Sequence, residues 1–206
     1  MKIYGNPMST CTRRVLATLA EKQAAYDMVV LDFAKGEHKT PAHLARQPFG
    51  QMPALEDGAF TMFESRAIIR YIDEVVPGQS LTPKDPKVRA HMEQWISVEM
   101  EDFNPGASSI VFQEVFAPMM GGKADAGKVE EAKKKLATSL AVLDKHLAKG
   151  PHFVGDQFTL ADICYMPYTE YGMQTSAKDL LLGHSHFAAW WKRVSERPSW
   201  KKTTGK

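Results

Sequence analysis

The sequence has few of the features that mark secreted, membrane or nucleic-acid-binding proteins. It holds only two cysteines, Cys11 and Cys164, in 206 residues, so a secreted disulfide framework is not expected. Its 26 basic and 24 acidic side chains leave a net charge of +2, which gives no support for a nucleic-acid or membrane partner. No apolar run approaches the ~18 residues of a membrane span, and no signal peptide is evident. A cytoplasmic protein is therefore expected.

Motifs for metals and nucleotides are also missing. No Walker loop or dinucleotide fingerprint is present, and the histidines, including His184 and His186, lack metal-ligand spacing on a shared helix face. We therefore expect no metal and no resident cofactor. The composition that remains, 44% hydrophobic and 24% charged, is an ordinary globular mixture that can build a sizeable core.

Apolar spacing divides the chain into an α/β half and a helical half. In the first half it predicts strands at 2–4, 26–31, 53–55 and 60–62, and helices at 11–22, 41–46 and 65–76. The order is βαβ, then α, then ββα, which makes a mixed four-stranded sheet with a crossover between parallel strands. Pro53 is expected to open an edge strand, because proline donates no ladder hydrogen bond.

A segment rich in proline and lacking periodicity, 78–86, predicts a linker. It separates an α/β domain of residues 1–77 from an all-helical domain of residues 87–206. Long helices are predicted at 88–117 and 125–148, the first bent or interrupted at Pro105-Gly106.

The helical half also contains a local signal for a helix start. Thr159 is followed three residues later by Asp162, a capping-box pattern with Asp in place of the usual Glu or Gln. We expect these residues to begin a buried helix and to do no chemistry. Cys164, just inside that helix, is expected to lie in the core.

Chemistry is expected where the first strand meets the first helix. Ser9 lies at this junction, where helix amides and the positive end of the helix dipole are available to an anion. Ser9 can bind such an anion or simply cap the helix. Cys11 lies two residues further on, and a thiol near a helix N-terminus can become a nucleophile, although no Cys-x-x-Cys motif is present.

Two further pairs carry polar groups suited to a ligand. His38-Lys39 offers two donors for a carboxylate, and Glu64-Ser65 places a carboxylate and a hydroxyl at a helix start. Each pair alone is typical of a solvated loop or a plain helix start. Together with Ser9 and an exposed strand edge, they match a ligand that carries carboxylates, an amine, a peptide backbone and a thiol.

These residues resemble the glutathione transferase family, and the plant phi class is the most similar variant. The matching pieces are Ser9 with 12–16 (TRRVL), 36–39 (GEHK), 48–58 (PFGQMPALEDG) and 63–68 (FESRAI). They cover most of the first 75 residues in family order, and the box at 158–162 matches the family's helical domain. The resemblance implies a thioredoxin-like N-terminal domain, an all-α C-terminal domain, a homodimer and a cis peptide bond before Pro53.

The resemblance also implies a set of residues that hold glutathione as a co-substrate. The implied set is Met8, Ser9, His38, Lys39, Gln51, Met52, Pro53, Glu64 and Ser65. In this set Ser9 stabilises the glutathione thiolate, and the backbone of Met52 pairs with the cysteinyl part of the tripeptide like an added strand. Glu64 and Ser65 take the γ-glutamyl end, while His38, Lys39 and Gln51 hold the glycyl end or neighbouring backbone.

The activated thiolate is expected to attack a hydrophobic electrophile or a peroxide, a detoxification chemistry. The electrophile is expected between the domains, against the long helix, with candidate contacts at Phe33, Phe103, Ile110, Phe112, Phe116 and Met119. Two other functions stay open. One is a glutathione-dependent thiol–disulfide reductase that uses Cys11, and the other is a non-catalytic ligand-binding protein on the same fold.

Overall fold

The computed structural model describes residues 1–205, which form two compact units. The first unit is Met1–Leu81 together with the described residues from Pro198 onward, and the second is Thr82–Arg197. The division after Leu81 falls within the predicted linker. The residues from Pro198 differ from the prediction, because they group with the α/β unit and not with the helical one. No helix among the described residues is long and apolar enough to span a membrane.

The first unit is built on a mixed four-stranded sheet, as predicted. Its strands are β1 (Lys2–Gly5), β2 (Asp27–Val30), β3 (Ala54–Asp57) and β4 (Phe60–Phe63), in the spatial order β2-β1-β3-β4. β1 and β2 are parallel, and the other two pairings are antiparallel. The expectation that Pro53 opens an edge strand is wrong, because β4 turns back at Gly58 and covers the outer side of β3.

Three helices of the first unit follow the strands closely in sequence. They are α1 (Thr10–Glu21), α2 (Pro41–Leu44) and α3 (Ser65–Val75), with a 3₁₀ turn at Glu37–Lys39 before α2. α1 packs against α3. Val15, Ile68 and Ile72 are among the fully buried side chains of these two helices, and Ile3 and Leu55 are fully buried in the sheet. This core holds the starts of α1 and α3 in place.

The second unit is helical, as predicted. Its helices are α4 (Pro86–Val98), α5 (Asn104–Val111), α6 (Ala117–Met119), α7 (Ala126–Leu147), α8 (Leu160–Gly172), α9 (Lys178–Leu182) and α10 (Ser185–Ser195). Two π-helical turns, Glu99–Phe103 and Phe112–Phe116, join α4, α5 and α6 into one helical stretch. The predicted break at Pro105-Gly106 lies inside α5, where Gly106 permits close packing: a Cβ there would stand 2.9 Å from the Leu136 amide nitrogen of α7.

The capping box at the start of α8 is confirmed. The Thr159 hydroxyl accepts from the Ala161 amide, and Asp162 Oδ2 accepts from the Thr159 amide at 2.9 Å. The other carboxylate oxygen of Asp162 accepts from the Trp190 indole at 2.8 Å. Asp162 therefore organises the helical core, and Cys164 is fully buried in the same helix, as expected.

The last helix, α11 (Pro198–Thr204), returns to the first unit and packs against α1. Its Trp200 is buried, and the Ser199 hydroxyl bonds to the Glu21 carboxylate at the end of α1. The first unit therefore contains residues from both ends of the described chain.

Candidate functional site

The strand register brings four predicted site segments to one end of the sheet. Tyr4 of β1 pairs with Ala54, Ala54 pairs with Phe63, and Gly5 pairs with Val30. The carboxyl ends of β1, β2 and β4 therefore lie beside the start of β3, in rows about 4.8 Å apart. The segments that meet there contain Ser9 after β1, His38-Lys39 after β2, Met52-Pro53 before β3 and Glu64-Ser65 after β4.

Ser9 caps α1 and retains a proton to donate. Its backbone is extended, and its Oγ accepts from the Thr12 amide at 3.3 Å. A hydroxyl has two acceptor lone pairs and one donor proton, so this bond uses a lone pair and leaves the O–H free to turn elsewhere. The two possibilities left open by the sequence, cap and anion donor, are therefore compatible.

Glu64 has a strained backbone at the start of α3. Its φ is +71°, in a region that favours glycine, and its side chain is exposed and makes no capping hydrogen bond. Strain of this kind persists where the surrounding structure enforces it, and it is common at ligand sites. Ser65 follows as the first residue of α3 and is buried.

Arg14 is a site residue that the sequence analysis missed. Its side chain is fully buried, and Nη1 donates to Ser65 Oγ at 3.4 Å and to Cys11 Sγ at 3.2 Å. It thus joins the first turns of α1 and α3. The signal in the sequence was its spacing, three residues after Cys11 and four before Thr18, which places Arg14 on the inner face of the helix.

The loop before β3 is held by buried side chains. The Met52–Pro53 peptide bond is cis, the isomer that the family resemblance implies. Met52 is half-buried against Tyr4, Leu31 and Ala54. Gln51 is exposed, but its backbone is bonded to the side chains of His43 and Gln47, two residues that the sequence analysis did not single out.

His38 is packed, whereas its neighbour Lys39 is at the surface. The His38 ring stacks on Phe33, with centroids 4.2 Å apart and planes 2° from parallel. Burial lowers the pKa of His38 below its usual 6.5, and the nearby charges of Lys39 and His43 lower it further. The ring is therefore neutral at pH 7, and Lys39, whose ammonium donates to the Phe49 carbonyl at 3.0 Å, supplies the positive charge of this pair.

The residues predicted to contact an electrophile divide into buried and exposed sets. Phe103 and Ile110 are buried in the core of the helical unit, where the Phe103 ring is 5.1 Å from that of Tyr165. The expectation that these two side chains contact an electrophile is therefore corrected. The π-helical turn at 99–103 turns Phe103 inward. Among the others, the exposed side chains are Phe33, Phe112 and Met119, and Phe116 is half-buried.

Cys11 is half-buried in the first turn of α1, and its sulfur accepts from the guanidinium of Arg14. It has no disulfide partner. Within residues 1–205 no group of three or more His, Cys, Asp or Glu side chains could hold a metal ion.

The mixed thioredoxin-like sheet and the helical unit match two family descriptions. Residues 1–74 match "Glutathione S-transferase, N-terminal domain" and residues 107–198 match "Glutathione S-transferase, C-terminal domain". The chain belongs to the glutathione S-transferase family, as the sequence motifs indicated, and it is an enzyme that transfers glutathione.

Known relatives match this chain over almost its whole length, and they are glutathione transferases of the phi class or similar to it. Glutathione S-transferase F9 of Arabidopsis thaliana is 39% identical, over 100% of this chain and 97% of that protein. A Silene vulgaris glutathione S-transferase is 41% identical, over 98% and 96%. The crystal structure of glutathione transferase F7 from Populus trichocarpa superposes with a TM-score of 0.95 at 40% identity, over 99% and 97% of the two chains. Glutathione S-transferase I from maize, solved with an atrazine glutathione conjugate, superposes at 0.91 and 36% identity, over 99% and 96%.

Proposed function

We propose that Ser9 activates glutathione by donating its hydroxyl proton to the sulfur, which favours the thiolate. The observation that carries this proposal is the register of the sheet, which gathers the ends of all four strands around the capped start of α1. The thiolate attacks an electrophilic carbon, so that a carbon–sulfur bond forms and the bond to the leaving group breaks. The leaving group departs with the electron pair, and the thiol proton goes to solvent.

The energies involved are adequate for this role. A free thiol has a pKa near 8.5, and lowering it by ~2 units requires ~2.7 kcal/mol of preferential thiolate stabilisation. A hydrogen bond to a charged group supplies ~1.5–3 kcal/mol, and a helix N-terminus adds ~0.3–1 kcal/mol. Ser9 and α1 together therefore suffice without a general base.

The remaining segments are proposed to hold the tripeptide. The backbone of Met52, next to Pro53, pairs with the cysteinyl part, and Met8 lines the same site. Glu64 and Ser65 bind the γ-glutamyl amine and carboxylate, in line with the exposed carboxylate of Glu64 and the buried Arg14 behind Ser65. Neutral His38, charged Lys39 and Gln51 are proposed to bind the glycyl end.

The second substrate is proposed to be a hydrophobic electrophile, with peroxides as a further class. Support comes from the maize relative, which holds a glutathione conjugate of atrazine. The candidate contacts are the exposed and half-buried side chains Phe33, Phe112, Phe116 and Met119.

The test compares Ser9→Ala with Ser9→Thr in the conjugation of a chlorodinitrobenzene-type substrate. At pH 7 we expect kcat/KM to fall about 10- to 100-fold in Ser9→Ala, the factor for one charge-assisted hydrogen bond. Ser9→Thr retains a hydroxyl and most of the activity. The difference in kcat/KM between Ser9→Ala and the wild type is expected to narrow above pH ~8.5, where the thiolate of free glutathione is abundant.

A control separates the loss of the donor from the loss of the helix cap. Asp85 caps α4 through the Lys87 and Val88 amides, so Asp85→Ala removes a cap that belongs to none of the proposed site segments. Removing either cap destabilises the protein by about 1 kcal/mol, but only Ser9→Ala is expected to lose activity. Unchanged activity in Ser9→Ala would rule out the proposed role of Ser9.

A second candidate, a Cys11-dependent thiol–disulfide reductase, is motivated by the half-exposed Cys11 beside Ser9. Its sulfur is directed toward the fully buried Arg14, which favours a structural role over attack on a ligand. A glutathione mixed disulfide on Cys11, seen by mass spectrometry, together with loss of disulfide reduction in Cys11→Ser would support the reductase. Retention on glutathione resin without turnover of any electrophile or peroxide would indicate a non-catalytic binding protein.

A further inference from the structure

The backbone of Gln51 is held on both sides by buried side chains. Its amide donates to Gln47 Oε1 at 3.0 Å, and its carbonyl accepts from His43 Nε2 at 2.6 Å. His43 and Gln47 are each 2% exposed. We call these two side chains the clamp.

The clamp has a firm base on the sheet. Arg46, between the two clamp residues in sequence, donates through Nε to Glu56 of β3 at 2.5 Å, and its guanidinium lies 4.1 Å from the ring centroid of Tyr4 in β1. The Tyr4 hydroxyl donates to the other oxygen of Glu56 at 2.6 Å. The segment that carries the clamp is therefore fixed relative to β1 and β3.

The geometry determines which His43 nitrogen carries a proton. A carbonyl oxygen only accepts, so Nε2 of His43 is the protonated nitrogen in the bond to Gln51. The other nitrogen, Nδ1, is buried and has no partner among the described residues. The ring thus makes a single hydrogen bond among the described residues, the one to the Gln51 carbonyl in the loop before β3.

That bond also orients the next amide. The carbonyl of Gln51 and the N–H of Met52 belong to one planar trans peptide unit, so they point in opposite directions. Because His43 holds the carbonyl toward α2, the Met52 N–H is directed away from α2. Donation to the carbonyl also polarises the peptide unit and strengthens its N–H as a donor.

We propose that His43 is a positioning residue for glutathione, acting through the Gln51–Met52 peptide. It fixes and polarises the Met52 amide that pairs with the cysteinyl part of the tripeptide, and Gln47 steadies the same loop from the other side. This inference rests on the proposed function, because it assigns Met52 as the backbone receptor.

The test uses His43→Phe, which keeps a ring and loses the donor, and His43→Gln, which restores an N–H donor. In His43→Phe we expect the KM for glutathione to rise about 5- to 10-fold, the factor for one lost hydrogen bond. The value of kcat at saturating glutathione and the KM for the electrophile are expected to stay within about twofold, as for a loss of uniform binding. His43→Gln recovers most of the glutathione affinity.

One control and one replacement variant complete the test. His91→Phe, at an exposed histidine of α4, is expected to change neither KM nor kcat. If His43→Phe does not fold, His43→Leu, which also lacks the donor to the Gln51 carbonyl, replaces it with the same expected rise in the KM for glutathione, and an unchanged KM would overturn the role of His43.

Calorimetric binding of S-methylglutathione separates this inference from the proposed function, because the thioether has no thiol for Ser9 to activate. If the wild type does not bind it, the proposed glutathione site fails. If the wild type binds it and folded His43→Phe binds it equally well, the glutathione site stands and the positioning role is overturned. Equal losses of affinity in His43→Phe and His43→Gln would also overturn the role, because they would indicate packing alone.

Discussion

The backbone of Glu64 is strained at a position whose side chain is proposed to bind glutathione, so stability and the proposed function oppose each other at this residue. Gln23, at the end of α1, is the other non-glycine residue with positive φ among residues 1–205, at +52°. It is exposed and lies outside the four segments of the candidate site. The two positions therefore share a backbone cost and differ in their expected contact with ligand.

Replacing either residue by glycine is expected to relieve this strain. We expect Glu64→Gly and Gln23→Gly each to raise the free energy of unfolding by up to about 1 kcal/mol. Glycine adopts a positive φ freely, but part of this gain is offset because glycine loses more chain entropy on folding. Only Glu64→Gly also removes the side-chain carboxylate that is proposed to bind glutathione. Its KM for glutathione is therefore expected to rise about 10- to 100-fold. Urea unfolding and steady-state kinetics on both variants measure the contrast. Equal KM values in the two variants would contradict the role of Glu64.

His38 gives a prediction for the dependence of stability on pH. Its pKa is lowered in the folded state by burial and by the nearby charges of Lys39 and His43, whereas in the unfolded chain it is near 6.5. Between the two values the unfolded chain binds more protons, so the free energy of unfolding falls as the pH drops below about 6.5. The slope for one proton cannot exceed about 1.4 kcal/mol per pH unit.

The comparison is urea unfolding of the wild type and His38→Phe at pH 7.5 and 5.5. Phenylalanine keeps a ring to stack on Phe33 and removes the titrating group. We expect the loss of stability at pH 5.5 to be smaller in His38→Phe than in the wild type. The same loss in wild type and His38→Phe would show that other groups carry the pH dependence.

At the scale of elements, local signals and the mixed four-stranded sheet were predictable, and the position of β3 within the sheet was not. Thr159 and Asp162 lie three residues apart, so their capping box was readable in the sequence. The position of β3 inside the sheet depends on pairing with β4 on one side and β1 on the other, and proline patterning does not encode that. The π-helical turns on either side of α5 are not revealed by an apolar spacing of three or four residues.

The candidate site shows the same division. Ser9, Glu64 and Ser65 were predicted because they lie in compact motifs next to strand ends. Arg14 and His43 were missed because helix spacing shows only which face a residue occupies, and their contacts with Ser65 and Gln51 depend on how separate segments pack together. Residues buried behind the site segments were therefore harder to predict than residues within the motifs themselves.

The packing of α5 on α7 predicts opposite effects at two glycines. A Cβ at Gly106 would lie 2.9 Å from the Leu136 amide nitrogen and 3.0 Å from the Ala132 carbonyl, and backbone cannot easily move away. We expect Gly106→Ala to lower the free energy of unfolding by about 1–3 kcal/mol. Gly127→Ala, in the first turn of α7, meets only the Asp125 carboxylate at 3.3 Å and is expected to raise it by up to about 1 kcal/mol. Urea midpoints of the two variants test this, and a stabilised Gly106→Ala would refute the close packing.

At the scale of the whole molecule, we propose that the chain forms a homodimer. The first unit exposes Phe49 and Phe60, which are 65% and 48% accessible, and Phe49 packs edge-on against Phe63. Large exposed aromatic side chains of this kind are enriched at protein interfaces.

Light scattering is expected to give twice the mass of 23.0 kDa for the wild type. Phe49→Ser is expected to raise the dissociation constant of the dimer at least about tenfold, because it truncates an aromatic side chain that anchors the interface. Val142→Ser changes a comparably exposed apolar residue of the helical unit and is expected to keep the wild-type mass. A wild type that is monomeric at micromolar concentration would contradict the proposal.

The return of α11 to α1 has a consequence for the order of synthesis. A growing chain emerges N-terminus first, so the strands and α1–α3 are all available before the helical unit exists. The surface of α1 that receives α11 stays uncovered until residues 198–204 have been made, almost 180 residues after Glu21. The α/β unit thus begins to form before the helical unit and is completed after it.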